Sequence, residues 1–125
     1  MEYLLNIPGR LDNLNDFIRA ERTNRYEGGK LKSKNQEIVS LYIRKQLKGV
    51  RINKTVFMEY TWVEMDKRRD LDNISSFGRK VIQDALVNCG VLKNDGWDQI
   101  SGFTDSFRVD RKNPHIEILI REVER

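Results

Sequence analysis

Cysteine and histidine are almost absent from this chain, which has one of each among 125 residues. The single Cys89 excludes an internal disulfide, and together with the single His115 it is too little for a structural zinc site. Cys89 lies near the end of an apolar helical pattern, where we expect a buried, inert thiol. His115 follows Pro114 at the start of a strand-like run, and we expect it to have a structural role.

Long apolar runs are also absent. No stretch approaches the roughly 18–20 residues of a membrane-spanning helix, and residues 1–8 have no basic segment of the kind that begins a secretory signal. We therefore expect a cytoplasmic protein without a membrane partner. A chain of 125 residues has room for one hydrophobic core, so we expect a single domain over residues 1–125.

Neither sign of charge dominates, because 23 Lys and Arg residues face 19 Asp and Glu residues and leave a net charge of +4. This small excess of positive charge favours a polyanionic partner only weakly, since net charge influences association rather than fold.

Hydrophobic periodicity predicts seven elements in the order β-α-α-β-α-β-β. The first four are a strand at residues 3–7, a helix over residues 11–18, a second helix at about residues 33–48 and a long alternating strand at residues 54–65. Residues 24–30 break the helical pattern and are predicted to form a loop.

The remaining three elements are a helix and two strands. The helix is predicted to be capped by Asp72 or Asn73, to extend to Cys89 and to stop at a left-handed Gly90. Strands follow around residues 103–109 and 116–120, with residues 111–114 predicted to join them as a hairpin. This order predicts an α+β (mixed α/β) fold in which helices pack on a small sheet.

Two carboxylates are close together in sequence in Asp70-Leu71-Asp72, between the predicted long strand and the predicted third helix. Side chains at i and i+2 of an extended backbone share a face, so both carboxylates could bind one Mg²⁺, which prefers oxygen ligands. An Asp-x-Asp pair is expected about once by chance in a chain with this many aspartates. The alternative is that Asp72 only caps the helix and Asp70 only pairs with Arg68.

The neighbouring residues strengthen the catalytic interpretation. Lys67, Arg68 and Arg69 precede the acidic pair, and phosphodiester cleavage needs cations for the DNA backbone beside acids for the metal. On the third helix, Lys80 either pairs with Asp84 one turn later or points towards the metal site and meets the scissile phosphate.

The loop after Gly90 supplies a third acid. Asp95 could return to the first two and complete a three-carboxylate cage, and Asp98 is the competing candidate. Trp97 between them either stacks on a DNA base or fills a gap between loop and sheet, packing being the commoner role.

Taken together, these residues resemble the RusA family of Holliday junction resolvases. The resemblance covers the central third of the chain and is carried by Arg68-Arg69-Asp70-Leu71-Asp72-Asn73, Lys80 with Asp84-Ala85-Leu86, Gly90 with Asn94-Asp95, and Gln99-Ile100. The segment between Asp72 and Asp84 is one helical turn longer than in the best-known member, so Ser76 stands where a lysine is expected.

The resemblance implies a Mg²⁺-dependent homodimeric endonuclease that resolves four-way DNA junctions by paired nicking, in DNA recombination and repair. It implies that Asp70, Asp72 and Asp95 are metal-binding catalytic acids and that Lys80 acts near the scissile phosphate. Mn²⁺ is expected to substitute for Mg²⁺. The side chains expected to hold the DNA backbone are those of Lys67, Arg68, Arg69 and Arg79.

Two other functions stay open at this stage. One is a structure-selective DNA-binding protein without cleavage activity, which predicts salt-sensitive junction binding and no metal-dependent cutting. The other is a less selective Mg²⁺-dependent nuclease that acts on flaps or replication forks.

Overall fold

Three helices and four strands follow one another in the predicted order. The computed structural model describes residues 1–124, and its elements are β1 (Glu2–Pro8), α1 (Leu14–Thr23), α2 (Arg25–Gln46), β2 (Val56–Glu64), α3 (Leu71–Asn88), β3 (Ile100–Val109) and β4 (His115–Glu122). The α+β fold class predicted from periodicity is therefore confirmed. No helix among residues 1–124 has the length and apolar character needed to cross a membrane.

The four strands form one mixed sheet in the order β1-β4-β2-β3. β2 pairs in parallel with β3 on one side and antiparallel with β4 on the other. The hairpin predicted at residues 111–114 is therefore wrong, because β2 lies between the two strands that this segment joins. The strand with the strongest apolar alternation takes the central position, where both of its edges are paired and one face is fully buried.

The helices cover one face of the sheet. On that face of β2, four side chains are almost completely buried, those of Val56, Met58, Tyr60 and Trp62. The residues between them, Phe57, Glu59 and Thr61, point to the other face and are partly exposed. The Trp62 ring of β2 packs directly against the backbone of α3 at Gly78, which has no side chain there. The apolar stripe of α3 thereby completes the core and fixes the position of its N-terminal end.

Several helix boundaries differ from the sequence prediction. α1 spans Leu14–Thr23 rather than residues 11–18, with Asn13 as its N-cap residue. Residues 25–30 belong to α2 rather than to a loop, because Asn24 Oδ1 accepts a hydrogen bond from the Glu27 backbone N–H at 2.9 Å and caps the helix early. α3 begins at Leu71 with Asp70 as its N-cap residue, so neither Asp72 nor Asn73 caps it. The predicted left-handed residue after α3 is confirmed, since Gly90 has a φ of 78°.

Candidate active-site cleft

A cleft of about 880 Å³ opens where the parallel strands β2 and β3 end and α3 begins. It is lined by residues 64, 66, 67, 69–71, 74 and 105–109. In open sheets that contain parallel strands, ligands bind at the carboxyl ends of those strands. The segment that carries the predicted catalytic motif therefore lies at a favourable position for a binding site.

Four carboxylates line this cleft, and they differ in whether a cation neutralises them. Glu64, Asp66 and Asp105 each form an ion pair with an arginine. Asp70 forms none within residues 1–124, and its side chain makes no capping hydrogen bond to α3. Asp70 is therefore the lining carboxylate that is available to a ligand.

Glu64 is a buried lining residue of the cleft, and it pairs with two arginines. Its Oε1 lies 3.3 Å from Arg10 Nη1 and 3.3 Å from Arg69 Nε. Arg69 Nη1 also donates a hydrogen bond to the Leu11 carbonyl at 3.2 Å. Burial lowers the pKa of the Arg69 guanidinium, while Glu64 opposes that shift. Arg69, predicted to contact DNA, thus connects the turn before α3 to the end of β2 and to residues 10–11.

Asp105 and Arg79 form a second enclosed pair at the back of the cleft. Arg79 Nη1 donates to Asp105 Oδ2, and its guanidinium lies over the Phe103 ring, 4.3 Å from the centroid. Trp62 Nε1 donates to the other Asp105 oxygen at 2.9 Å. Asp105 was not among the residues predicted from the sequence, although a charged residue at an inward position between Phe103 and Phe107 is a signal of such a site.

The geometry of Asp70 and Asp72 differs from the extended pair that the sequence suggested. Asp70 is the N-cap and Asp72 is already inside α3, where side chains two residues apart point about 200° apart around the axis. Asp70 lines the cleft and Asp72 does not. Because helical Cβ atoms tilt towards the N-terminus, both carboxylates still lie at the open end of α3. Ser76, one turn beyond Asp72, donates its hydroxyl to the Asp72 carbonyl at 2.7 Å.

Asp95 makes its contact further along the helix. Asp95 Oδ2 lies 3.1 Å from Lys80 Nζ, and the same ammonium lies 3.1 Å from Asp84 Oδ1. These hydrogen bonds, first to Asp84 and then to Asp95, raise the pKa of Lys80. The predicted Lys80–Asp84 helix pair is therefore present. Lys80 follows Asp72 by eight residues, which corresponds to about 12 Å along an α-helix.

A metal ion fits part of the predicted ligand set. Mg²⁺ is commonly held by one or two carboxylates together with waters and phosphate oxygens, and Asp70, the unpaired carboxylate that lines the cleft, meets the lower end of that requirement, whereas Asp72 is part of α3 and does not line the cleft. Among residues 1–124, no group of three or more His, Cys, Asp or Glu side chains lies close enough together to hold a metal ion. The three-carboxylate cage that includes Asp95 therefore remains a prediction.

The loop that contains the other predicted residues faces solvent. The Trp97 side chain is 91% exposed, so the expectation that it fills a gap between loop and sheet is wrong. The Gly96 N–H donates to Asn94 Oδ1 at 2.9 Å, which makes a tight turn there. The Asp98 carbonyl accepts a hydrogen bond from Thr55 Oγ1 at 2.7 Å and fastens the loop beside the start of β2.

Of the two exposed cations in the turn before α3, Lys67 lines the cleft and Arg68 is the next residue in the chain. Arg68 Nε lies 3.7 Å from Asp66, with a side chain that is 89% exposed. Lys67 is exposed and forms no ion pair within residues 1–124. Of the four basic residues predicted to hold DNA, these two remain accessible to a phosphate, whereas Arg69 and Arg79 are engaged by Glu64 and Asp105.

No protein-family model matches the chain, and no curated protein matches it significantly.

Proposed function

We propose that this protein is a Mg²⁺-dependent endonuclease that cuts branched DNA, with Asp70 at the reacting centre. One observation carries the proposal: Asp70 is the unpaired carboxylate of a cleft whose other lining acids are neutralised, and the unpaired Lys67 lies on the same cleft. A free acid beside a free cation is the arrangement that a phosphodiester needs.

The side chains at the start of α3 have distinct roles in this proposal. Asp70 and Asp72 would hold the metal, which when bound would act as a Lewis acid and lower the pKa of a bound water; Mn²⁺ is expected to substitute. Lys67 and Arg68 would bind DNA phosphates, and the free N–H groups at the N-terminal end of α3 would favour the same anion. The buried Glu64–Arg69 pair would keep the turn that carries Asp70 in place.

Asp95 and Lys80 enter the proposal as a linked pair. The Lys80 ammonium holds Asp95 at 3.1 Å, so a third carboxylate at the metal requires this contact to open. Lys80 would then be released towards the DNA phosphate. Replacement of Asp95 with Asn is therefore expected to lower cleavage less than the same change at Asp70. The variant Asp98→Asn tests whether Asp98, the competing candidate, is the third acid instead.

The finer proposal is resolution of four-way junctions by paired nicking in recombination and repair. A junction with two-fold symmetry presents two equivalent strands, and a two-fold homodimer presents two identical clefts to them. We propose a homodimer for this reason, and measurement of its mass in solution by sedimentation tests it directly.

The decisive experiment replaces Asp70 with Asn and measures Mg²⁺-dependent cleavage of a synthetic four-way junction. We expect a loss of roughly 100-fold or more, since even residues that only orient metal ligands typically contribute 10–100-fold. Glu37→Gln, an exposed acid on α2 away from the cleft, is the matched control and should cut normally. Undiminished cleavage by the Asp70 variant would refute the assignment. Flap and linear duplex substrates in the same assay distinguish junction resolution from a less selective flap or fork nuclease.

A second function is favoured by a specific observation. Because Lys80 holds Asp95 and no three-carboxylate group is present among residues 1–124, the chain also suits a structure-selective DNA-binding protein that does not cut. That function predicts tight, salt-sensitive junction binding with no cleavage in Mg²⁺ or Mn²⁺, in the wild type as in the Asp70 variant.

A further inference from the structure

The floor of the cleft is apolar, although its rim is charged. Leu71 and Ile74 of α3 form one wall, and Phe107 and Val109 of β3 form the other. Leu71 is 58% exposed and Val109 is 45% exposed, so apolar surface faces the opening. Phosphate binding and metal chemistry do not use such a floor.

The cleft also has an open strand edge. β3 is the last strand in the sheet order and pairs only with β2 among residues 1–124. Alternate backbone N–H and C=O groups on its outer edge are therefore available as donors and acceptors. The Asp105 carboxylate already accepts hydrogen bonds from Trp62 and Arg79, and the outer edge of the strand backbone offers further donors and acceptors.

Shape, polarity and charge together describe one kind of ligand. A cleft of about 880 Å³ lies within the roughly 300–1,000 Å³ range of small-molecule sites. Its aromatic and aliphatic walls suit a flat ring, its free backbone edge suits the hydrogen-bonding edge of that ring, and Lys67 and Arg68 on the rim suit an attached phosphate.

We propose that the cleft binds an unpaired nucleobase of branched DNA, stacked against Phe107, with the adjacent phosphate held by Lys67 beside Asp70. This inference rests on the proposed function for the presence of DNA. The inference also explains how a branch would be recognised. A base in an intact duplex is stacked between its neighbours and cannot enter the cleft, whereas a base at a branch point can leave the stack at lower free-energy cost.

The experiment measures binding without cleavage, in buffer that contains EDTA. The probes are a short DNA duplex with one unpaired 2-aminopurine and the same duplex fully paired. The variant Phe107→Leu keeps an apolar wall but removes the stacking ring. Phe57→Leu is the matched control, since Phe57 is a partly exposed aromatic residue of β2 on the sheet face opposite the helices and does not line the cleft. Leu71→Gln, at an exposed position where folding is not at risk, is the second variant.

We expect the wild type to prefer the bulged duplex and to change its 2-aminopurine emission. Phe107→Leu should lose roughly tenfold in affinity for the bulged duplex, Leu71→Gln should lose affinity in the same direction, and neither should change binding to the paired duplex. Phe57→Leu should match the wild type.

Three results overturn the inference. If the wild type binds both duplexes with equal affinity, base recognition is refuted and the nuclease proposal is not affected. Dissociation of a dimer by Phe107→Leu and Leu71→Gln, with DNA affinity unchanged, assigns the floor to a second copy of the chain. Absence of DNA binding refutes this inference and the proposed function together. Bulge preference without cleavage in Mg²⁺ supports the inference and refutes only the cutting activity.

Discussion

The contact between the Trp62 ring and the backbone of α3 depends on Gly78. A Cβ added at this position would lie 2.8 Å from two atoms of the Trp62 ring, closer than non-bonded carbon atoms normally approach. The ring cannot move aside easily, because it is 1% exposed, its Nε1 is bonded to Asp105, and it stacks on Tyr60 with centroids 5.6 Å apart. Gly78→Ala should therefore push α3 away from β2.

The size of the effect follows from two opposing terms. Alanine in a helix interior is favoured over glycine by about 0.8–1.0 kcal/mol, and overpacking a well-packed core costs about 1–3 kcal/mol. Gly29→Ala in α2 supplies a control for the first term alone, since a Cβ there would meet nothing within 4 Å. The free energy of unfolding of Gly78→Ala should thus fall about 1–3 kcal/mol below that of Gly29→Ala.

Urea unfolding followed by tryptophan fluorescence measures both variants against the wild type. Gly29→Ala is expected to be more stable than the wild type by up to about 1 kcal/mol, and Gly78→Ala less stable than Gly29→Ala. In thermal unfolding each kcal/mol should appear as a shift of about 4 °C for a domain of this size. Equal stability of the two alanine variants would refute the packing of α3 described above.

Three further predictions concern charges. Protonated His115 donates to the Asn113 carbonyl at 2.8 Å and to Glu117 at 2.6 Å, and these bonds raise the pKa of His115. Their contribution of about 1 kcal/mol to stability is fully present below about pH 6.5, the pKa of an unfolded histidine. It is lost as the pH rises through the higher pKa of the folded state. Urea unfolding at pH 5.5 and 8.5 should show this loss in the wild type and not in His115→Gln. Glu64→Gln leaves two arginines without their buried partner and should lower the free energy of unfolding by about 1–3 kcal/mol; an unchanged urea midpoint contradicts the Glu64 network. Lys67→Ala should weaken DNA binding and reduce the slope of its salt dependence by about one, whereas Lys54→Ala at the opposite end of β2 should do neither.

The sequence was a sound guide wherever a local pattern determines the structure. The alternation from Val56 to Glu64 predicts β2, and Gly90 predicts the end of α3, because strand periodicity and a left-handed cap depend on neighbouring residues alone. The motif around Asp70 was likewise located correctly between strand and helix. Its ligand geometry was not, because α3 begins two or three residues earlier than predicted, so that Asp72 lies within the helix and does not line the cleft.

The partners of charged residues could not be read from the chain. Arg69 and Arg79 have the same residue type as Arg68, yet the fold places Glu64 beside one and Asp105 beside another, and only Arg68 stays at the rim. Asp95 was predicted beside Asp70 and instead contacts Lys80. Arg79 and Asp105 are 26 positions apart and Lys80 and Asp95 are 15 apart. The Arg69–Glu64 pair depends on how the turn between β2 and α3 folds, so sequence spacing does not reveal any of the three.

The sequence by itself determined the elements, their order and the acidic motif at the start of α3, since these follow from hydrophobic period, capping residues and local charge. Only the tertiary structure decided that β2 separates β3 from β4, which carboxylates are neutralised and which one remains free. Strand pairing and ion pairing depend on distances between segments far apart in the chain, and those distances exist only after the core around Trp62 and Gly78 has packed.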